Sequence, residues 1–264
     1  MRDGHVNVFC KVMAVLTMLF LVAPLVVIVF ASFTPTEVVV FPPQGFSTRW
    51  YANVFSPSTH FMNGLWKSLQ VGFVATLVDI VLGVTASLCV TRYDFKGKGA
   101  LLAYFTSPLY VPSVTLAFVL LQVFSQIGGF SGFARVLIGH AVLILPYIVR
   151  NCVSVLHSFD WSLEDAAASL GASPVQVLTK VTLPLIRPGV VAGAVLAFLY
   201  SFDEVALTSL LSTPRFVTLP IRLMNYMELT FDPTLAAVST LLILGALAII
   251  VAMDKTIGLD MFLK

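Results

Sequence analysis

The sequence predicts an all-α integral membrane protein with about six transmembrane helices, and three observations carry that prediction. Apolar residues make up 58% of the 264-residue chain and charged residues only 11%, whereas an average soluble domain has roughly 25% charged residues. The mean hydropathy is +0.97, which corresponds to more apolar side chains than the core of one soluble domain can bury. Apolar runs recur at the length that a bilayer-crossing helix needs, and they are too long and evenly apolar for barrel strands.

The predicted spans follow one another along the chain, separated by polar or glycine-containing loops. They cover approximately residues 11–32, 68–91, 100–126, 134–155, 189–211 and 234–253. Pro108 and Pro112 fall inside the third span. The first span is long for the core of a signal peptide, so we expect it to be retained as a helix.

The distribution of basic residues predicts which side of the membrane each loop faces. With six spans, the segments on the same side of the membrane as the N-terminus contain more lysine and arginine than the segments on the opposite side. The short loop 92–99, on the N-terminal side of the membrane, holds three of these basic residues. Both termini are therefore predicted to be cytoplasmic. We expect an N-terminal helix and an extracytoplasmic segment over 1–65. A transmembrane core over 66–254 is expected to contain a cytoplasmic loop at 158–188, and a cytoplasmic tail is expected over 255–264.

Two function classes find no support in the composition. The net charge of +2 gives no reason to expect a nucleic acid partner. Cys10, Cys89 and Cys152 lie in or beside apolar runs without metal-binding spacing, so we interpret them as small buried apolar residues.

The loop between spans four and five has the pattern of two short helices joined by a glycine. Ser162 is a candidate N-cap, with Asp165 at the third helical position as in a capping box. Gly171 is expected to end this helix, predicted over 163–170. Ser173, which precedes a proline, predicts the start of the second helix.

Two interpretations of this loop stay open on pattern alone. The second helix has an apolar stripe of Val177, Leu178 and Val181, and Pro184 and Pro188 are predicted to turn the chain back toward the membrane. Small side chains around the glycine allow close backbone approach, as in a knob that enters a cleft on a partner protein. The alternative is a hairpin lying on lipid headgroups, which usually displays lysine and arginine on its polar face.

The same loop resembles the EAA loop of bacterial ABC-type importer permeases. Asp165-Ala166-Ala167, three residues, Gly171, nine residues and then Val181-x-Leu183-Pro184 reproduce the family spacing. The family usually has glutamate where this chain has Asp165, and here Glu164 precedes it. The residues that the resemblance implies for coupling to an ATPase are Glu164, Asp165, Ala166, Ala167, Gly171, Ala172, Val181, Leu183 and Pro184.

The resemblance implies a type I ABC importer permease in a bacterial inner membrane. Such a chain pairs with a second permease, binds a dimer of ATPase subunits, and receives substrate from an extracytoplasmic binding protein. This sequence has no GxxxxGK[ST] loop, so we expect no cofactor on this chain and expect ATP and Mg²⁺ to be bound by the ATPase.

Charged residues within the predicted spans are the candidates for the substrate pathway, because charges in a membrane are costly and usually functional. Asp203 and Glu204 are predicted in the body of span five and Asp79 in span two. An ammonium substrate would relieve the repulsion of adjacent carboxylates and would suit aromatic faces, here Tyr200, Phe202 and Tyr226. The alternatives are that Asp203 or Glu204 pairs with an arginine or caps a broken helix.

Residues 201–205, 218–222 and 233–241 resemble the second permease of spermidine/putrescine importers. That resemblance implies a polyamine substrate. Permeases for iron(III), aminoethylphosphonate and opines have similar sequences, so another small solute is the alternative.

Two rival functions are weaker. Residues 129–132 match the GxSG of rhomboid proteases, but that chemistry needs a histidine base, and the last two spans contain none. An ion-coupled carrier or channel could use Asp79, Asp203 and Glu204 as a relay, but it would leave the EAA-like loop unexplained.

Overall fold

The computed structural model describes residues 8–39 and 41–257, and these residues are almost entirely helical. The α-helices are α1 Val8–Ala31, α2 Arg49–Val54, α3 Phe61–Arg92, α4 Lys98–Thr106, α5 Ser113–Ile127, α6 Gly132–His157, α7 Ser162–Ser169, α8 Pro174–Val177, α9 Leu183–Asp203, α10 Ala206–Leu211, α11 Leu219–Leu229 and α12 Thr234–Ile257. A 3₁₀ turn covers Ser107–Tyr110 and a π-helical turn covers Leu178–Thr182.

Four helices in the described residues are each long and apolar enough to cross a membrane. They are Phe9–Ala31, Phe61–Arg92, Gly132–His157 and Pro174–Asp203. A broken pair, Lys98–Tyr110 with Ser113–Ile127, makes a fifth if it is counted as one span. The predicted sixth span corresponds to α12, Thr234–Ile257, within which the stretch Thr234–Ala248 is apolar.

The prediction of one uninterrupted third span over 100–126 is wrong. The helix axis bends by 105° between Tyr110 and Ser113. Pro112 stands at this corner as the N-cap of α5 and has extended backbone angles. Proline has no N–H to donate and disfavours helical geometry in the residue before it, so the chain breaks here into two shorter helices.

The prediction of a fifth span over 189–211 is also wrong at both ends. The helix starts at Pro174, passes through the π-helical turn and continues to Asp203. Pro184 is the second residue of α9, directly after the π-helical turn, and Pro188 lies inside α9. Pro184 and Pro188 therefore do not turn the chain back toward the membrane, because both lie within one continuous helical segment.

The chain divides into two compact units, the first made of residues up to 62 together with those from 223 onward. In this unit α1 and α2 pack beside α12. The indole N–H of Trp50 donates to the Thr34 carbonyl at 2.7 Å, and the Asn53 amide donates to the Thr234 hydroxyl at 2.8 Å. Helix α12 includes 255–257 of the predicted tail, and residues 258–264 lie outside the described residues.

The second unit, Asn63–Arg222, has its core between α6 and α9. Ile144, Ile148 and Ile186 are fully buried there. A Cβ on Gly193 would lie 2.9 Å from the Ile148 Cα, and one on Gly189 would lie 2.8 Å from the Asn151 carbonyl oxygen. These two glycines form a GxxxG pattern, which allows membrane helices to approach closely.

The interpretation of all three cysteines as buried is correct only for Cys152. Cys10 and Cys89 are exposed on the isolated chain. They lie on apolar helices whose outer faces also expose large hydrophobic side chains, the kind of surface that a bilayer covers.

Candidate coupling surface and substrate site

The candidate coupling segment, residues 158–188, contains the predicted helix–glycine–helix corner. Gly171 has φ +86°, a left-handed conformation that favours glycine. Its N–H donates to the Ala168 carbonyl at 2.9 Å, and the Ala172 N–H donates to the Ala167 carbonyl at 3.1 Å. This pair of bonds is a Schellman motif, which satisfies the last carbonyls of α7.

The second helix of the segment begins as predicted. The Ser173 side chain accepts from the Gln176 N–H, and the Gln176 side chain accepts from the Ser173 N–H, which together form a capping box. Pro174 occupies the first helical position. A local sequence signal therefore sets this helix start.

The predicted cap of the first helix is wrong. Ser162 is the first residue inside α7, and its N–H donates to the Asp160 side chain at 3.0 Å. Trp161 stands at the N-cap without a side-chain hydrogen bond. Asp160 takes the role that the sequence suggested for Ser162, because its carboxylate reaches the free N–H two residues ahead.

Glu164 and Asp165 are adjacent in sequence and differ completely in environment. Glu164 is 3% exposed, and its Oε2 lies 2.7 Å from a guanidinium nitrogen of Arg92 at the end of α3. The Thr182 hydroxyl donates to Glu164 Oε1 at 2.5 Å. Asp165 is exposed. Glu164 therefore ties α7 to the end of α3 and to the π-helical turn of the same segment, whereas Asp165 is free to contact a partner.

The outer surface of the corner is apolar. Leu170 is 90% exposed and Val175 is 70% exposed, and the sequence patterns single out neither residue. Among the residues predicted for coupling, Ala166, Gly171 and Pro184 are exposed, and Ala167, Ala172, Val181 and Leu183 are half-buried.

Asp203 and Glu204 do not lie in the body of a helix, which corrects the prediction from sequence. Helix α9 ends at Asp203, and Glu204 has extended backbone angles. Glu204 is largely buried, and its Oε1 accepts from the Leu207 N–H at 2.8 Å. This geometry is the alternative in which a carboxylate caps a broken helix.

Asp203 is the exposed member of the pair. Among the described residues, none forms a hydrogen bond or ion pair with its carboxylate. The carboxylate stands at the C-terminal end of α9, where the last carbonyls of a helix carry partial negative charge. Tyr200 precedes it by one turn and packs against Tyr147, with ring centroids 5.2 Å apart. The ring of Phe202 packs against that of Phe198, with the ring centroids 6.1 Å apart.

The two remaining predicted pathway residues have different surroundings. Asp79 lies in the second unit, is fully buried, and its carboxylate oxygens have no hydrogen-bond partner among the described residues. Tyr226 belongs to the first unit, where its hydroxyl donates to Asp232 at 2.9 Å and accepts from Asn53 at 3.3 Å. Burial raises the pKa of Tyr226 above its ordinary value, which keeps the hydroxyl a donor.

A buried histidine beside the helix break is absent from the sequence-based site. His140 on α6 is 1% exposed. One ring nitrogen lies 2.7 Å from the Ser201 hydroxyl and the other lies 2.8 Å from the Thr208 hydroxyl. The ring thus bridges both sides of the break between α9 and α10. No local pattern could reveal it, because its partners are 61 and 68 residues away.

The family described as "Binding-protein-dependent transport system inner membrane component" matches residues 79–254. The chain belongs to this family. The matched range includes the whole candidate coupling segment, α9 and most of α12. The chain is thus an ABC importer permease subunit, a transporter component and not an enzyme, and a multi-pass protein of the bacterial inner membrane.

Curated relatives of this permease cover nearly its whole length. It is 33% identical over 232 residues to the spermidine/putrescine transport system permease protein PotC of Haemophilus influenzae, covering 88% of this chain and 90% of that protein. It is 30% identical to PotC of Escherichia coli K12, covering 90% and 92%. The putrescine transport system permease protein PotI of that strain is 31% identical, covering 88% and 84%.

Solved structures show the same permease fold. A bacterial ABC transporter involved in the import of the acidic polysaccharide alginate matches with a TM-score of 0.68 at 14% identity, covering 97% of this chain and 99% of that one. An amino acid ABC transporter matches with a TM-score of 0.58 at 16% identity, covering 78% and 97%. At these identities the likeness concerns the fold alone.

Proposed function

We propose that this permease carries polyamines, with spermidine and putrescine as the first substrates to test, and that a separate ATPase drives it. The observation that carries the substrate proposal is the similarity to PotC and PotI proteins over 88–90% of the chain. Polyamines are flexible polycations, so their path must offer negative charge and aromatic faces.

The end of α9 supports this proposal chemically. Asp203 offers an exposed carboxylate at the negative end of a helix, with the Tyr200–Tyr147 ring pair one turn away. An ammonium group contacting Asp203 gains charge-assisted hydrogen bonds. Glu204 is already engaged with the Leu207 N–H, so we assign the direct substrate contact to Asp203. Phe202, Tyr226 and Asp79 remain proposed members of the pathway.

The candidate coupling segment is the proposed docking surface for the ATPase. Its corner exposes Leu170 and Val175 beside small residues, and Asp165 adds one free negative charge. In the proposed complex, a second permease completes the pore, a dimer of ATPase subunits binds ATP and Mg²⁺, and an extracytoplasmic binding protein delivers the substrate. Movement of the ATPase would then pull the segment as a rigid body.

Two measurements test the two halves of the proposal separately. Uptake of labelled spermidine should fall to background in cells that lack this chain and return when it is restored. Co-purification should recover an ATPase with the permease. Unchanged uptake in the deletion strain would contradict the polyamine assignment and leave an importer permease for another solute, such as iron(III), aminoethylphosphonate or an opine. Transport that persists without any ATPase would contradict the coupling proposal.

A further inference from the structure

An open groove lies between α4, the 3₁₀ turn and the C-terminal half of α6. Its volume is about 420 Å³, far more than the roughly 30 Å³ that one water molecule occupies in the liquid. We propose that this groove, called the α6 groove below, binds the phosphate of an anionic phospholipid headgroup. The proposal does not depend on the polyamine assignment.

One face of α6 supplies the binding groups. Arg150, Ser154 and His157 line the groove at positions i, i+4 and i+7, a spacing that aligns side chains on a single helical face. All three are exposed. Among the described residues, none forms a hydrogen bond or ion pair with these side chains. Three free polar side chains, one of them permanently charged, therefore point to a shared external partner.

The opposite wall adds hydroxyl groups and no negative charge. Thr106 and Tyr110 line it; the Thr106 hydroxyl donates to the Leu102 carbonyl at 2.9 Å, and the Tyr110 side chain is 79% exposed. The lining has no carboxylate. A cation would therefore be repelled by Arg150 without compensation, whereas an anion would be attracted.

A lipid phosphate fits this chemistry and this location. The planar guanidinium of Arg150 can donate two parallel hydrogen bonds to phosphate oxygens, and Ser154, His157 and Tyr110 can add single donors. Arg150 lies seven residues before the end of a membrane-crossing helix, about 10 Å along its axis. Long basic side chains at that depth reach toward headgroups, and basic pockets between transmembrane helices bind them.

Native mass spectrometry of the full-length permease tests the proposal. We expect purified wild type to retain phosphatidylglycerol, and Arg150→Gln to bind it roughly tenfold more weakly, since one charged hydrogen-bonding group is lost. Arg187→Gln is the matched control. Arg187 is exposed and lies two residues from Gly189, which approaches Asn151. The Arg187→Gln variant therefore removes the same charge as Arg150→Gln, at a similar level of the helix bundle but outside the groove.

Further variants and ligands test whether the groove binds an anionic lipid. Equal retention in wild type and Arg150→Gln would overturn the proposal, as would equal losses in the two arginine variants. If Arg150→Gln does not fold, the double variant Ser154→Ala with His157→Gln keeps the charge and should still weaken binding. Phosphatidylcholine should bind much more weakly than phosphatidylglycerol. Thermal stabilisation by inorganic phosphate but not by phosphatidylglycerol would overturn the lipid source and indicate a free-anion site.

Discussion

Arg92 at the end of α3 and Glu164 in the first turn of α7 form an ion pair with 2.7 Å between nitrogen and oxygen. Glu164 is buried and Arg92 is about half exposed. The pair connects the candidate coupling segment to a membrane-crossing helix that lies 72 residues earlier in the chain (164 − 92). It is thus a direct mechanical contact between the proposed ATPase-docking surface and the transmembrane core.

The two neighbouring carboxylates of the segment should respond differently to neutralisation. Glu164→Gln removes the charge that Arg92 and Thr182 contact in a buried site, so we expect a loss of about 1–3 kcal/mol in the free energy of unfolding, toward the lower end because Arg92 is partly solvated. Asp165→Asn should leave the melting temperature unchanged and weaken ATPase association. Thermal unfolding of the purified permease and ATPase co-purification measure the two effects. Equal melting temperatures for both variants would contradict the distinction.

Gly171 should tolerate asparagine better than valine. Nothing lies within 4 Å of a Cβ placed there, so the cost of substitution comes from its left-handed backbone at φ +86°. That conformation costs an ordinary residue about 1–2 kcal/mol and a β-branched residue more, whereas asparagine adopts it more readily. We expect Gly171→Val to reduce ATPase association and transport while membrane insertion stays normal. Full transport by Gly171→Val would argue against the docking role, and Gly171→Asn serves as the control.

The His140 bridge should be a stabilising unit with non-additive energetics. His140→Leu leaves the buried Ser201 and Thr208 hydroxyls without their partner, and we expect it to cost about 2 kcal/mol or more. Ser201→Ala should cost less, and the double variant should cost less than the sum of the two, because both changes break the same bond. Thermal unfolding of the four proteins in this cycle measures the coupling. Strict additivity would show that the 2.7 Å contact contributes nothing.

Substitution of Asp203 should affect substrate binding, whereas substitution of Glu204 should affect protein stability. Asp203→Asn removes a free exposed carboxylate, so we expect a roughly tenfold rise in KM for spermidine uptake at an unchanged melting temperature. Glu204→Ala removes the acceptor for the Leu207 N–H and should cost about 1 kcal/mol in stability. Transport kinetics and thermal unfolding of both variants are needed. An unchanged KM for Asp203→Asn would remove this residue from the proposed pathway.

Features that depend on neighbours in sequence were predictable. The glycine corner at Gly171 and the capping box at Ser173 were predicted because helix caps involve residues two to four positions apart. The cap at Ser162 was predicted wrongly because Asp160, two residues earlier, accepts from the Ser162 N–H, and the pattern alone does not rank the two candidate caps. Pro112 was noted in the sequence, but the apolar run around it is long enough to cross a membrane, so one uninterrupted span was predicted there.

The sequence by itself determined the membrane class, most of the spans, the family spacing from Asp165 to Pro184, and the residues near which helices start and stop. These depend on composition and on local backbone chemistry. Only the tertiary structure decided that Glu164 is buried against Arg92, that Glu204 caps α10 while Asp203 stays free, and that His140 joins α6 to both sides of the break. Each of these contacts except the Glu204 cap links residues from distant helices, and which of two adjacent carboxylates is buried depends on how those helices pack.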